Sequence, residues 1–126
     1  MTTAIALGSN LPSTFGPPEA NLREALHRLS ALGRVTAVST FQATDPVGYL
    51  NQPQFLNAAA LLDTTLPPLD LLHALLAIEH AMGRDRANTP AKGPRIIDLA
   101  NPDCIAMMRD YIAANPALWH EDIGLD

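Results

Sequence analysis

"RVTAVSTFQATDPVGYLNQPQFLNAAALLDT", residues 34 to 64, places two strand-like runs one after the other in the chain. Residues 34 to 44 alternate Val35 and Ala37 with polar neighbours and are rich in β-branched side chains, which suit a pleated, half-buried surface. Residues 55 to 64, "FLNAAALLDT", read as a second strand, predicted to be the antiparallel partner of the first. The intervening residues 45 to 54 hold two prolines and a glycine and read as a long, ordered loop.

A helix is predicted on either side of this pair. Upstream, Leu22, Leu26 and Leu29 recur at helical spacing, with Pro17 and Pro18 at the first turn and Gly33 just past the end, so a helix is expected over 18 to 32. Downstream, Pro67 and Pro68 open a stretch in which Leu72, Leu75, Leu76, Ile78 and Met82 give a broad apolar face closed by Gly83. Residues 3 to 7, "TAIAL", form a buried strand ended by Gly8-Ser9-Asn10, and "GPRIIDL" at 93 to 99 is a last short strand. The resulting order, β-α-β-β-α-β, is the split βαβ arrangement of ferredoxin-like α+β domains. An antiparallel sheet with both helices on one face follows, leaving the other face and the loops to bind a ligand. On the last strand, side chains two apart share a face. Ile96, Asp98 and Ala100 are therefore expected on one side, as one acid followed by an alanine.

The chain of 126 residues is long enough for one domain with a single sizeable core. With 48% hydrophobic and 17% charged residues it is not of the disordered class. A net charge of −5 argues against non-specific nucleic-acid binding, which needs a basic surface. The single Cys104 excludes an internal disulfide framework, and the thiolate spacings of a zinc site are absent. No basic leader followed by an apolar segment opens the sequence, and it lacks the run of about 18 apolar residues needed for a membrane helix. A cytoplasmic protein off the membrane is the expectation. His27, His73 and His80 fall at exposed or edge positions of the two helices without paired ligand spacing, and Asp45, Asp63 and Asp85 read as turn or loop residues.

From Asn101 onward the character changes. Asn101-Pro102 and Asn115-Pro116 are capping signals for a third helix and a short further turn, with Ile105, Met108 and Ile112 suited to packing. The expected division is a domain over 1 to 100 and a helical tail over 101 to 126 in which nothing reads as catalytic.

Four segments in order, "ALGSNL" (6 to 11), "TDPVGYLNQPQFLNA" (44 to 58), "IEHAMGRDR" (78 to 86) and "GPRIIDL" (93 to 99), resemble the 6-hydroxymethyl-7,8-dihydropterin pyrophosphokinase family. That family has a ferredoxin-like fold and moves pyrophosphate from ATP to the pterin hydroxymethyl group. The resemblance implies a substrate site in which Gly8 and Asn10 shape the floor, Thr44 and Val47 line the edge, Phe55 stacks on the ring and Asn57 pairs with its amide edge. It implies a nucleotide side made of Glu79, Arg84, Arg86 and Arg95, on a loop able to close over ATP, with Arg84, Arg95 and Asp98 catalytic and Asp98 a ligand of Mg2+. The chemistry suits these types: a flat heteroaromatic ring wants an apolar face contact and a few fixed polar partners, and guanidinium groups grip phosphates in bidentate fashion. Taken without the resemblance, Phe55 would be strand core and the arginines a solvated loop.

The family's last strand carries an Asp-x-Asp pair, and here Asp98 is followed by Ala100. The later His-Tyr pair, basic residue and second aromatic of the family also have no match after residue 100, and His120 stands outside any such pattern. The expected function is pyrophosphate transfer by a monomer acting on ATP and the pterin, with impaired catalysis. The alternative is a non-catalytic remnant that binds pterin or nucleotide only. A ferredoxin-like interaction or RNA-binding module is disfavoured because the strands lack paired aromatics and a basic surface.

Overall fold

A computed structural model describes residues 2 to 46, 51 to 84 and 94 to 99. In chain order the elements are β1 (Thr2–Ser9), α1 (Pro18–Leu29), β2 (Arg34–Val38), β3 (Gln42–Thr44), β4 (Phe55–Asp63), α2 (Pro68–Ala81) and β5 (Asp98–Leu99). The sheet order is β2-β4-β1-β5, with β3 also paired to β4, and all pairings are antiparallel. This is the ferredoxin-like α+β arrangement expected from the element order, with the second strand divided in two.

The division has a physical cause. Between Val35 and Ala37 two residues face the single step from Leu62 to Leu61, and between Val38 and Gln42 four steps face the three from Ala60 to Asn57. Each mismatch is one extra residue on the outer strand, the signature of a bulge. At the second, buried Ser39 takes over the ladder: its N–H donates to the Ala59 carbonyl at 2.8 Å, and its Oγ accepts the Ala59 N–H at 2.8 Å. A hydroxyl thus replaces a backbone carbonyl, and the expected strand over 34 to 44 is interrupted without leaving a buried amide unpaired. Other boundaries shift by a few residues: the first strand extends to Thr2–Ser9, and α1 ends at Leu29 and is followed by turns.

Alternation along the strands sorts the side chains. Ile5 and Leu7 of β1, Ala58, Ala60 and Leu62 of β4 and Leu99 of β5 meet Leu22, Ala25 and Leu29 of α1 and Leu71, Leu75, Ile78 and Met82 of α2 in one core. Both helices therefore cover the same sheet face. The inward stripe of α2 differs from the one expected from sequence, since Leu76 is exposed and Leu71 is buried. Glu79 also lies on that stripe, 1% exposed. Asn21, fully buried on α1, holds the loop after β1 by donating to the Leu11 carbonyl and to Ser9 Oγ and accepting from Ser13 Oγ.

Gly33 is where α1 hands over to β2, and the approach there is close. A Cβ at this position would lie 2.1 Å from the backbone oxygen of Asp63. Gly33→Ala is therefore expected to force the two strands apart and destabilise the fold by about 1–3 kcal/mol, measured as a lower urea midpoint with an unchanged slope.

Candidate functional site

The sheet face turned away from the helices carries Gly8 of β1, Thr44 of β3, Phe55 and Asn57 of β4 and Asp98 of β5. Gly8 pairs with Asn57 on one side and with Asp98 on the other, so these three form a row across three strands. Asn57 Nδ2 donates to Thr44 Oγ1, which fixes the amide relative to the strand edge. A Cβ at Gly8 would meet Asn57 Oδ1 at 3.1 Å and Phe55 Cδ1 at 3.9 Å. The missing side chain thus makes room for a flat floor beside an aromatic ring and an amide.

Two arginines converge at the β5 end of this row. Arg84 Nη1 donates to Glu79 Oε2 at 2.8 Å, to the Ile97 carbonyl at 3.1 Å and to Asp98 Oδ1 at 3.0 Å. Arg95 Nη1 lies 3.4 Å from Asp98 Oδ2, and its guanidinium carbon sits 5.0 Å from the centroid of the Phe55 ring. Asp98 therefore has one oxygen toward each guanidinium, with its side chain 42% exposed. Arg95 joins the ring side of the face to the carboxylate side. This qualifies stacking on Phe55, because a guanidinium already covers one face of the ring; a bicyclic ring must use the other face or take the place of Arg95.

Glu79 lies deeper than Arg84 and Arg95. It is beneath the surface, and Oε2 accepts both the Arg84 guanidinium and, at 2.7 Å, the backbone N–H of Leu99. A carboxylate buried this deeply is tolerated because it is paired and hydrogen-bonded. Its effect on the open face runs through Arg84 and through the placement of β5. Sequence reasoning assigned Glu79 to ATP and missed that an acid four residues after Leu75 falls on the helix's inward stripe. Asn10 is likewise buried, and its bonds run to the loop at 52 and 53 and to Arg95. Val47, Arg86, Ala100, Cys104, the loop over 85 to 93 and the tail over 101 to 126 lie outside the described residues.

Among the described residues there is no group of three or more His, Cys, Asp or Glu side chains able to hold a metal. Among the described residues, Asp98 is the partly exposed carboxylate here, the neighbouring Glu79 being buried and engaged by Arg84 and Leu99. Mg2+ is commonly bound by one or two carboxylates together with substrate phosphates and water. Asp98 fits a cation that arrives with a polyphosphate and does not fit a dedicated protein cage.

The sheet order and this guanidinium–carboxylate cluster beside an aromatic and an amide define a ferredoxin-like α+β domain with a polar site on its open face. A family model described as 7,8-dihydro-6-hydroxymethylpterin-pyrophosphokinase (HPPK) matches residues 4–114, and the chain belongs to that family. It is 47% identical over 95 residues to the 2-amino-4-hydroxy-6-hydroxymethyldihydropteridine pyrophosphokinase of Pseudomonas aeruginosa, a match covering 75% of this chain and 56% of that protein. The enzyme of the same name from Bacillus subtilis is 46% identical over 98 residues, covering 75% of this chain and 54% of the relative. The chain thus spans little more than half the length of these two. Against the enzyme of that name from Pseudomonas putida it is 38% identical over 116 residues, covering 90% of this chain and 88% of that one.

Proposed function

We propose that the chain is a pterin pyrophosphokinase that transfers the β,γ-diphosphoryl group of ATP to the hydroxymethyl oxygen of 6-hydroxymethyl-7,8-dihydropterin. The observation that carries this reading is the convergence of Arg84 and Arg95 on Asp98, immediately beside Gly8, Asn57 and Phe55 on the same face. The pterin lies against Gly8, Phe55 and Asn57, with Thr44 at its edge, and the triphosphate lies over Arg84 and Arg95; Val47 and Arg86 are added to the two groups on the family resemblance alone. The hydroxymethyl oxygen attacks the β-phosphorus, the bond from that phosphorus to the bridging α-oxygen breaks, AMP leaves, and the hydroxyl proton passes to solvent. Little covalent work falls to the protein in such a transfer; it holds the two reactants in line and supplies fixed positive charge. Asp98 would hold a Mg2+ ion, which would supply positive charge to offset that of the phosphate oxygens. Arg95, held by its own backbone bonds to Asn10, is the cation common to ring and phosphates.

Two further points belong to the same proposal. The proposed setting is the cytoplasm, a reducing compartment in which a thiol such as Cys104 stays unoxidised. The protein works as a monomer, since the bulges of β2 and the short β3 break the regular ladder at that sheet edge and discourage edge-to-edge pairing.

A second reading, binding of pterin or nucleotide without turnover, is favoured by one feature: Ala100 stands where the family resemblance places a second acid. AMP release from ATP, with and without the pterin and Mg2+, separates the two. Pterin-dependent AMP supports the transferase, ligand binding without AMP supports the second reading, and no binding of either ligand sinks both. Ala100→Asp is expected to raise the Mg2+-dependent rate at least tenfold, because one added charged ligand contributes ~1.4 kcal/mol or more to the transition state. An unchanged Mg2+ titration would count against a metal at this strand.

A further inference from the structure

Asn10 follows directly on β1 and is 3% exposed. Its backbone N–H donates to the Arg95 carbonyl at 3.0 Å, and its side-chain Oδ1 accepts the Arg95 N–H at 2.8 Å. On the other side its Nδ2 donates to the Pro53 carbonyl at 3.0 Å and to Gln52 Oε1 at 2.9 Å. The orientation of this amide is fixed by its backbone partners: a peptide N–H needs the oxygen and a peptide carbonyl needs the NH2 group. Both amide hydrogens are thereby engaged within the protein. Asn10 has none left to donate to a ligand, although sequence resemblance put it on the substrate floor.

The two segments it joins are the two halves of the proposed site. Pro53 lies two residues before Phe55, and Arg95 is the cation over that ring and beside Asp98. We infer that Asn10 is a positioning residue, a clasp that holds the 51–54 loop against the Arg95 segment and so sets the separation between the ring slot and the phosphate-binding guanidinium. The inference rests on the functional reading above for its ligands, but the clasp itself has a readout that needs none.

Asn10→Asp separates the two sides of the clasp. The carboxylate still accepts the Arg95 N–H, but it presents an acceptor to the Pro53 carbonyl and releases the loop. Gln52→Ala removes one tie from a half-buried loop residue, leaves the core untouched and adds no charge. Hydrogen exchange of the full chain is the first measurement. Asn10→Asp is expected to speed exchange across residues 51–55 while the Arg95 amide keeps its protection. Unaltered exchange at 51–55, or equal acceleration at both segments, overturns the clasp.

Calorimetric titration is the second measurement, with α,β-methylene-ATP and Mg2+, followed by 6-hydroxymethylpterin at saturating analogue. Asn10→Asp is expected to weaken pterin binding about tenfold, and Gln52→Ala about threefold, with nucleotide affinity held within about threefold in both, in line with loss of one or two neutral hydrogen bonds. Equal losses for both ligands in Gln52→Ala, or no loss of pterin affinity in either variant, would overturn the positioning role. If the unaltered chain binds neither ligand while the exchange pattern appears as expected, the functional reading fails and the clasp stands.

Discussion

Glu79→Ala is expected to lower the stability of the protein by about 3–5 kcal/mol, the usual cost of removing one partner from a buried ion pair. The Arg84 side chain is 9% exposed and its Nη1 is held by Glu79 at 2.8 Å, so the substitution leaves a guanidinium with the Ile97 carbonyl and a half-exposed Asp98 as its remaining partners. It also strips the Leu99 N–H of its acceptor inside the core. Small domains are stable by only about 5–15 kcal/mol in total, so the loss is a large share. Glu79→Gln keeps an acceptor for Leu99 and is expected to cost less. Glu19→Ala serves as the contrast: that carboxylate pairs with Arg23 at 2.8 Å, but the two side chains are 57% and 68% exposed, so the change stays within about 0.5 kcal/mol. Urea denaturation of the three variants checks the order, and a Glu79→Ala midpoint equal to that of Glu19→Ala would refute the buried pair.

The second large effect concerns Asp98. On the proposed function, Asp98→Ala removes the carboxylate that faces both guanidiniums on the open face, and kcat/KM for ATP is expected to fall at least about a hundredfold, equivalent to ~3 kcal/mol of transition-state stabilisation. Binding separates this from simple damage. With Asp98 gone, Arg84 keeps Glu79 and the Ile97 carbonyl, but one negative charge beside the two guanidiniums is lost, so affinity for ATP without metal should hold or rise. The enhancement of nucleotide binding by Mg2+ should disappear. Calorimetric titration with ATP in EDTA and in excess Mg2+ measures the difference; an enhancement equal to that of the unaltered protein would remove Asp98 from the metal site.

The fold was legible because each strand and helix announced itself locally. Proline pairs opened both helices, β-branched alternation marked the strand over 34 to 44, and two strands in succession between the helices selected the split topology. The face of α2 was not legible. A helix with leucine at 69, 71, 72, 75 and 76 is apolar nearly all round, and nothing in its spacing says that 71 and 75 turn inward while 69 and 76 turn out. The same ambiguity concealed Glu79, which the pattern presents as an ordinary polar residue near a helix end. Its burial follows only from the tertiary position of Arg84 and Leu99, partners five and twenty residues further along. Ser39 escaped for a related reason: a serine inside a β-rich run looks like a solvent-facing strand residue until the partner strand shows one residue too few opposite it.

Of the residues named from the four sequence segments, the structure brings Gly8, Thr44, Phe55, Asn57, Arg95 and Asp98 to one sheet face, with Arg84 at its β5 edge. What the segments could not supply was which side chains point at a ligand and which hold others in place. Asn10 and Glu79 differ from Asp98 and Arg95 in burial and in the identity of their partners, and both are properties of the folded chain.

Among the described residues the final strand is two residues long, too brief to orient anything by its own ladder. It is pinned from the sheet side by Gly8 and Leu7 and from the helix side by the Glu79 carboxylate gripping the Leu99 amide. Among the described residues, the aim of the Asp98 oxygens is thus set by β1, by Glu79 through the Leu99 amide, and by the two guanidiniums of Arg84 and Arg95. The Leu99 amide signal is therefore a natural reporter of how firmly this carboxylate is held.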